Sequence, residues 1–339
     1  MTIQAIAWSN IVNRCARRGF AVVLAVAGVF AASEAVYAQA PYPNRPIRLI
    51  VPYPPGGSAD PTGRAFASWL SEKLGVPVVV DNRPGAGATI GHGLAAKAAP
   101  DGYTLLLGTS AGLVVSPAFG SKLSYDPLRD FAPVGLGVYV PFLLVVHPSV
   151  AAKNVTELID LAKAQPGKIN FASPGVGTPN HLGMELLKAV SGIDLVHITY
   201  KGAAPAMIDL VGGRIQTLMG GIPYCQPQMT AGKIRAIATA HPQRLRAMPE
   251  LPAIAESLPG FNTGTWYALL APAGTPAPIV DKLNAEMKRA IANAEFSRQL
   301  DAIGLEPASS TPKELGDLMR TELARWTKVI RAAGLQPPS

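Results

Sequence analysis

Runs of β-forming residues alternate with helical patterns along most of this chain of 339 residues, and no other feature restricts the fold as strongly. In the first part of the chain the predicted strands are 47–53, 76–82 and 103–108, and the predicted helices are 61–75 and 88–99. Strands that alternate with helices of roughly ten to fifteen residues form βαβ units around a mostly parallel sheet. The pattern therefore predicts an α/β fold.

The same alternation returns in the second part of the chain. Predicted strands follow at 141–148, 168–173, 195–200, 214–222 and 233–240, and predicted helices at 155–165, 179–192, 203–213, 276–293 and 311–334. We expect two α/β lobes, one of residues 39–137 and 264–339 and one of residues 138–263, joined by crossings near 131–142 and 259–268. Ligands of open α/β sheets bind beyond the carboxyl ends of the strands, so we expect the binding crevice between the lobes.

The first 38 residues have the layout of a secretory signal peptide. Three arginines precede an apolar run at 20–32, and small residues at Val36 and Ala38 form a cleavage site. The apolar run has 13 residues, fewer than the roughly 20 that span a bilayer. We therefore expect cleavage after Ala38 and export of the mature chain.

The composition excludes several classes of function. Only 15% of the residues are charged, and 48% are hydrophobic, which argues against a disordered chain. The net charge of +8 is not concentrated in a long basic run, and aromatic residues make up only 6%. We expect no nucleic-acid partner. A modest positive balance suits a protein whose ligands are small anions.

Metal and cofactor sites have no support in the sequence. The five histidines show no spacing typical of zinc ligands, and no glycine pattern matches a nucleotide-binding motif. We expect no metal and no cofactor. After cleavage Cys225 is the only cysteine that remains, so no intrachain disulfide is possible, and we expect a buried, inert thiol.

Glycine-rich loops at the strand ends are the best candidates for a ligand site. Residues 53–60 read YPPGGSAD, and residues 173–181 read SPGVGTPNH. In each loop an N-cap residue, Asp60 or Thr178, stands before a proline that suits the first helical position. Backbone N–H groups at the start of a helix attract anions. The loops therefore predict a site for a carboxylate or another small anion.

One motif points to a different function. Residues 108–112 read GTSAG, the pattern of a nucleophile elbow, and Asp194 and His241 would complete a Ser–Asp–His order. An elbow serine leads directly into a helix, whereas residues 113–117 are β-branched and interrupted by proline. We therefore favour a binding loop, with a secreted serine hydrolase acting through Ser110 as the alternative.

Six stretches together resemble the Bug-type periplasmic solute receptors of tripartite tricarboxylate transporters. They read YPNRPIRLIVPYPPGGSAD, VVVDNRPGAGATIG, AAPDGYTLLLG, FASPGVGTPNHLGMELL, ITYKGAAPAMIDLVGGRIQ and WYALLAPAGTP. The resemblance extends from about Tyr42 to the C-terminal helix. It implies a two-lobed periplasmic-binding fold of type II, the Venus-flytrap fold, which closes on a small carboxylic acid and delivers it to a membrane permease without chemical change.

The resemblance also implies which residues bind the ligand. Carried over by position, they are Tyr53, Pro55, Gly56, Gly57, Ser58 and Asp60 in the first loop, Thr109 and Ser110 after the third strand, Ser173, Gly177, Thr178, Asn180 and His181 in the second loop, and Gly221 and Ile222 at a later strand end. Neither principal loop contains arginine or lysine. We expect backbone N–H groups, hydroxyl groups and water to hold the carboxylate instead of a salt bridge.

The sequence does not specify the identity of the ligand or of the partner protein. The first loop departs from the usual family sequence at Tyr53, Pro55 and Pro61, so the ligand is undecided among dicarboxylates, tricarboxylates, amino acids and aromatic acids. Tyr53, Tyr224 and Trp266 are candidates to stack on a ring, if they reach the crevice. The partner is a transporter permease or a sensor protein. We expect a periplasmic monomer without catalytic residues.

Overall fold

The computed structural model describes residues 42–55, 58–200 and 202–335. The predicted signal peptide, its cleavage after Ala38, and the predicted ligand residues Gly56 and Gly57 lie outside the described residues. From Arg45 onward the described residues belong to one compact unit.

The eight strands predicted from the sequence are all present, together with two that were not predicted, β9 and β10. The strands are β1 (Ile47–Val51), β2 (Val78–Asn82), β3 (Thr104–Thr109), β4 (Phe131–Val146), β5 (Asn170–Ser173), β6 (Val196–Thr199), β7 (Thr217–Gly221), β8 (Arg235–Thr239), β9 (Gly264–Pro272) and β10 (Glu306–Pro307).

The predicted helices are also present. The described helices of eight or more residues are α1 (Ala59–Leu74), α2 (Thr89–Ala96), α3 (Val155–Ala164), α4 (Pro179–Ser191), α5 (Ala203–Val211), α6 (Ile222–Thr230), α7 (Ala277–Ala292), α8 (Ala294–Ala302) and α9 (Pro312–Ala332). Helices α6 and α8 were not predicted. Helix α6 begins immediately after β7, and Pro223 lies in its first turn, where the missing N–H is not needed.

Two blocks of parallel strands flank an antiparallel centre. The strand order is β2-β1-β3-β9-β4-β7-β5-β6, and β8 and β10 also pair with β4. Strand β1 runs parallel to β2 and β3, and β5 runs parallel to β6 and β7. Strands β9 and β4 run antiparallel to their neighbours. The protein therefore has the predicted two-lobed α/β fold, one lobe around each parallel block; the lobe boundaries named above stay predictions.

Strand β4 belongs to both lobes. Its residues 131–141 pair with β9, and its residues 142–146 pair with β7 and β8. The sequence predicts a crossing near 131–142, where the first part lies. Proline and glycine, which occur there at Pro133 and Gly135, are unusual inside a strand. Register shifts beside Pro133 and Leu136 accommodate these residues, so the strand continues through them. The two crossings are thus the paired strands β4 and β9.

Alternating side chains of β4 divide the core of the second lobe into two layers, as the period of a strand requires. Phe142, Leu144 and Val146 pack with buried residues of α3 and α4. Leu143 and Val145 pack with buried residues of α5 and α6. Helix α4, which follows β5, and helix α6, which follows β7, are thereby packed against the same sheet.

Helix α4 also contacts the first lobe. Its Leu182 is completely buried in the apolar cluster that contains Trp266 and Trp326. The start of α4, which carries part of the second predicted ligand loop, is therefore held by both lobes.

Cys225 lies in α6 and is completely buried, as predicted. Burial raises the pKa of its thiol to about 12. No described helix is both long enough and apolar enough to cross a membrane.

Candidate functional site

A cavity of about 970 Å³ lies at the carboxyl ends of the parallel strands. Tyr53 follows β1, Pro174 follows β5 and Gly221 ends β7, and all three line the cavity. Strand β4 contributes Val140 from its first part and Phe142 from its second. Both lobes therefore line the cavity, at the place where open α/β sheets bind ligands. Its size is within the range of small-molecule sites.

Four helices begin at this cavity. Residues from the first turns of α1, α4, α5 and α6 line it, namely Ala59, Pro61, Pro179, Asn180, Ala203, Ala206, Ile222, Pro223 and Tyr224. The first N–H groups of a helix have no partner inside the helix, and the helix dipole makes this end positive. The four helix starts together favour an anion in the cavity.

None of the described residues that line the cavity carries a charge. The polar side chains are Ser58, Thr178, Asn180, Gln226, Thr265, Tyr53, Tyr224 and Tyr267. Most of the other lining side chains are apolar, among them Phe142, Met207 and Ile303. A small molecule with one or two anionic groups and a hydrocarbon body matches such a wall, because its charge meets N–H and hydroxyl groups and its carbon atoms meet apolar side chains.

Tyr53 and Ser58 fix the first loop to the centre of the sheet. Burial raises the pKa of the Tyr53 phenol, and a hydrogen bond with the side chain of Thr109 opposes this effect. The Ser58 Oγ atom lies 2.7 Å from the phenol oxygen of Tyr267. Burial also raises the pKa of the Tyr267 phenol. Both phenols therefore keep their protons at neutral pH and are available as hydrogen-bond donors.

The prediction that Asp60 is the N-cap of α1 was wrong. The helix begins at Ala59, with Ser58 as the N-cap, so Asp60 lies in the first turn. Its carboxylate accepts hydrogen bonds of 3.0 Å from Asn82 Nδ2 and from Arg64 Nε. Burial alone would raise the pKa of Asp60, but these hydrogen bonds hold it below its usual value. Asn82 also donates to the carbonyl oxygen of Tyr53, so Asp60 helps to hold the loop from behind.

Ser110 is followed by a helical segment, and the argument that no helix follows it was wrong. Residues 111–115 form a π-helical turn that continues into an α-helical turn at 116–118. Pro117 falls in the first turn of the α-helical part, where no N–H is required. The Ser110 side chain is nearly buried, and its Oγ atom lies 2.7 Å from Thr265 Oγ1. The hydrogen-bond partner of the Ser110 hydroxyl is thus the hydroxyl group of Thr265 in β9, and not a histidine.

His92 packs against the same segment with both ring nitrogens engaged. Its Nε2 accepts a hydrogen bond of 3.2 Å from the N–H of Thr109, and its Nδ1 lies 2.8 Å from the carbonyl oxygen of Ala88. The ring is completely buried, and burial lowers its pKa to about 4. An uncharged ring with both nitrogens in use holds the end of β3 in place.

The second loop is organised by Thr178, which is the N-cap of α4 as predicted. Thr178 Oγ1 accepts from the N–H of His181 at 3.3 Å and donates to the carbonyl oxygen of Gly175 at 2.8 Å. Asn180 donates from Nδ2 to the carbonyl oxygen of Met219 at 2.9 Å, which joins α4 to β7. The Ser173 Oγ atom lies 2.7 Å from His197 Nε2.

The structure divides the residues predicted to bind the ligand into two groups. Tyr53, Pro55, Ser58, Thr178, Asn180, Gly221 and Ile222 line the cavity. Asp60, Thr109, Ser110, Ser173, Gly177 and His181 are described but are not among the lining residues, and their side chains or N–H groups contact other parts of the protein. Contact of either group with a ligand stays a prediction.

Sequence reasoning missed the contribution of strand β9. Thr265 and Tyr267 line the cavity, whereas Trp266 between them is buried in the core of the first lobe. Successive side chains of a strand point to opposite faces, so this division would follow from the sequence if residues 264–272 were recognised as a strand. Tyr53 and Tyr224 do reach the cavity.

No group of three or more histidine, cysteine, aspartate or glutamate residues with metal-binding geometry occurs within the part of the chain that the structure describes.

Comparison with known proteins gives a consistent result. Residues 63–335 match the profile of the family described as tripartite tricarboxylate transporter family receptor. The protein BugT of Bordetella pertussis is 37% identical over 317 residues, which cover 92% of this chain and 97% of BugT.

Two solved structures of Rhodopseudomonas palustris proteins are similar over nearly their whole length. Rpa4515, solved with adipate, is 34% identical, with a TM-score of 0.76 and coverage of 87% of this chain and 99% of that chain. MatC, solved with bound malate, is 32% identical, with a TM-score of 0.69 and coverage of 85% and 100%.

Proposed function

Because the chain belongs to the receptor family of tripartite tricarboxylate transporters, we propose that it captures a small carboxylate in the cavity between its lobes and passes it to a membrane transporter. One observation supports the proposal above all. Four helix starts meet at a cavity whose described lining has no charged side chain. This arrangement suits an anion bound through oriented N–H groups and hydroxyl groups, without a buried salt bridge.

A carboxylate is the anion that we propose, for two reasons. Two relatives were solved with dicarboxylates, adipate and malate. The hydroxyl groups of Ser58, Thr178 and Thr265 add hydrogen-bond donors beside the helix starts. Each charge-assisted hydrogen bond contributes about 1.5–3 kcal/mol, so a few of them supply useful affinity.

A thermal-shift screen of the mature protein, residues 39–339, tests this function. The protein is refolded first to remove ligand that copurifies with it. The panel contains aliphatic monocarboxylates, dicarboxylates and tricarboxylates, acidic amino acids and aromatic acids. A ligand present at 100 times its Kd adds about 2.7 kcal/mol to the free energy of unfolding. We expect one chemical class to raise the Tm clearly and to be recovered unchanged.

Sulfate and an uncharged amide of the best ligand serve as controls in the screen. The amide removes the charge but keeps the shape, so we expect it to lose most of the Tm shift. A flat response to every carboxylate would refute the proposal, and so would an equal shift with the amide.

We further propose export to the periplasm with cleavage after Ala38, and action as a monomer. N-terminal sequencing of the protein from a periplasmic fraction checks the cleavage site, and light scattering during size-exclusion chromatography checks the mass. Cross-linking in membranes that contain either the transporter permease or a candidate sensor distinguishes the two kinds of partner. We expect the permease to be captured in a ligand-dependent manner.

A further inference from the structure

Beneath the second ligand loop lies a stack of three rings. The ring centroids of His181 and His197 are 4.0 Å apart, with an angle of 23° between the planes, and Phe171 stacks on His197 at 4.8 Å. His181 is only 1% exposed. It is not among the described residues that line the cavity, so we expect no direct contact between its side chain and a ligand.

His181 instead bonds to the backbone of the loop. The N–H of Gly177 donates to His181 Nδ1 at 3.2 Å. A ring nitrogen accepts only when it carries no proton, so His181 has its proton on Nε2 and is uncharged. Gly177 has a φ angle of +77°, which a residue with a side chain rarely adopts. The bond therefore holds a backbone turn that leads directly into Thr178, the N-cap that lines the cavity.

The surroundings of the ring favour this uncharged state. Burial, His197 and Lys188 together lower the pKa of His181 to about 4. Glu185 Oε1 lies 3.8 Å from His181 Nε2, but it also pairs with Lys188 Nζ at 3.2 Å. The carboxylate is thus partly neutralised by lysine.

We propose that His181 is a positioning residue of the ligand site. Its uncharged ring accepts a hydrogen bond from the N–H of Gly177 and so holds residues 173–178 in the shape that binds the carboxylate. His197, the ring that stacks on His181, supports the same loop through Ser173, whose Oγ atom lies 2.7 Å from His197 Nε2. The inference rests on the proposed function for its effect on affinity, whereas the role of the ring in ordering the loop does not depend on any ligand.

The first experiment measures the ring nitrogens directly. Nitrogen-15 NMR of the histidine side chains in the purified protein at pH 7 reports the proton on each nitrogen. We expect His181 to show an unprotonated Nδ1 and a protonated Nε2. A proton on Nδ1, in either the neutral or the charged ring, would overturn the proposal, because the N–H of Gly177 would then have no acceptor.

The second experiment compares two substitutions of His181. In His181→Asn the Oδ1 atom replaces Nδ1 as an acceptor, whereas His181→Phe keeps a ring in the stack but has no acceptor. Hydrogen exchange of residues 174–181 is measured without ligand. We expect exchange to rise at least 10-fold in His181→Phe and to return close to the wild-type rate in His181→Asn. Equal rates in the two variants would contradict the proposal.

The matched control is His147→Asn. His147 follows the last residue of β4, at the opposite end of the strands from the cavity, and its Nδ1 lies 2.7 Å from Ser149 Oγ. We expect wild-type exchange in residues 174–181 for this variant. A similar increase there would mean that any histidine loss loosens the loop, which would refute a specific role of His181.

Calorimetric titration with adipate then connects the loop to binding. We expect His181→Phe to weaken adipate binding at least 10-fold and His181→Asn to restore most of the loss. If adipate binds the wild type and both variants equally, the positioning role fails while the receptor function stands. If adipate binds none of the proteins but the exchange results are as expected, the ordering of the loop is supported and the carboxylate function is contradicted for this probe.

Discussion

The side-chain oxygen atoms of Ser58 and Tyr267, which are 209 residues apart in the sequence, lie 2.7 Å from each other at the wall of the cavity. Ser58 is the N-cap of α1, and Tyr267 belongs to the strand β9 that crosses between the lobes. The contact therefore joins the first predicted ligand loop to one of the two strands that cross between the lobes.

Removing the Tyr267 hydroxyl should weaken ligand binding. In Tyr267→Phe the Ser58 hydroxyl loses its partner and the wall loses a donor, and such a bond contributes about 1 kcal/mol. We expect a 3- to 10-fold increase in the Kd of the best ligand from the thermal-shift screen, measured by calorimetry. Tyr125→Phe is the control, because Tyr125 loses a buried hydrogen bond to Gly112 but does not line the cavity. Equal losses of affinity in both variants would refute the prediction.

Two equivalent helix caps should differ in their effect on binding. Thr178→Ala and Thr311→Ala each remove an N-cap hydroxyl, from α4 and α9 respectively, so each should reduce the free energy of unfolding by about 1 kcal/mol. Only Thr178 lines the cavity. We expect at least a fivefold loss of affinity in Thr178→Ala, with Thr311→Ala at the wild-type value. Urea unfolding and calorimetry on the same samples separate the two effects.

Ser110 should not react as a nucleophile. Its hydroxyl bonds with Thr265 in a nearly buried position, and His92 beside it has both nitrogens engaged. We expect no labelling of the native protein by an alkyl fluorophosphonate, measured by intact-mass spectrometry, with a known serine esterase as the positive control. Labelling that disappears in Ser110→Ala would support the hydrolase alternative instead.

Two buried histidines should make the protein less stable in mild acid. The pKa values of His92 and His181 are lowered to about 4, in both cases mainly by burial, whereas an unfolded histidine has a pKa of about 6.5. Between these values the unfolded chain binds more protons than the folded chain. The free energy of unfolding is therefore fully retained above about pH 6.5 and falls toward pH 4, by up to about 1.4 kcal/mol per pH unit for each histidine.

Urea unfolding at pH 7, 6 and 5 measures this dependence. Between pH 6 and 5 the free energy of unfolding of His181→Asn should change less with pH than that of the wild type, by about the 1.4 kcal/mol per pH unit that corresponds to one proton. An unchanged slope in His181→Asn would show that His181 is not the titrating group.

The features that the sequence predicted correctly are those with a local cause. Thr178 acts as an N-cap because its side chain bonds to an N–H group only three residues away. The eight predicted strands and the loops that follow them are visible in short apolar runs and glycine-rich turns. The buried state of Cys225 agrees with the general tendency of a free cysteine to behave as a small apolar residue.

The features that it missed depend on distant partners. Residues 131–140 contain proline and glycine, so only their pairing with β9 identifies them as a strand. Ala302 and Ile303 line the cavity although they lie at the end of helix α8, far along the sequence from either predicted ligand loop. The Asp60 carboxylate accepts a hydrogen bond from Asn82, which lies 22 residues further along the chain. None of these relationships has a periodic signal in the sequence.

Strand β4 has a consequence for how such receptors diversify. One uninterrupted backbone from Phe131 to Val146 pairs with β9 in its first part and with β7 in its second. Replacing one lobe by that of a relative would therefore cut this strand or leave part of it without its partners. We therefore expect a change of ligand preference to be reached by substitutions in the loops around the cavity rather than by exchange of a whole lobe.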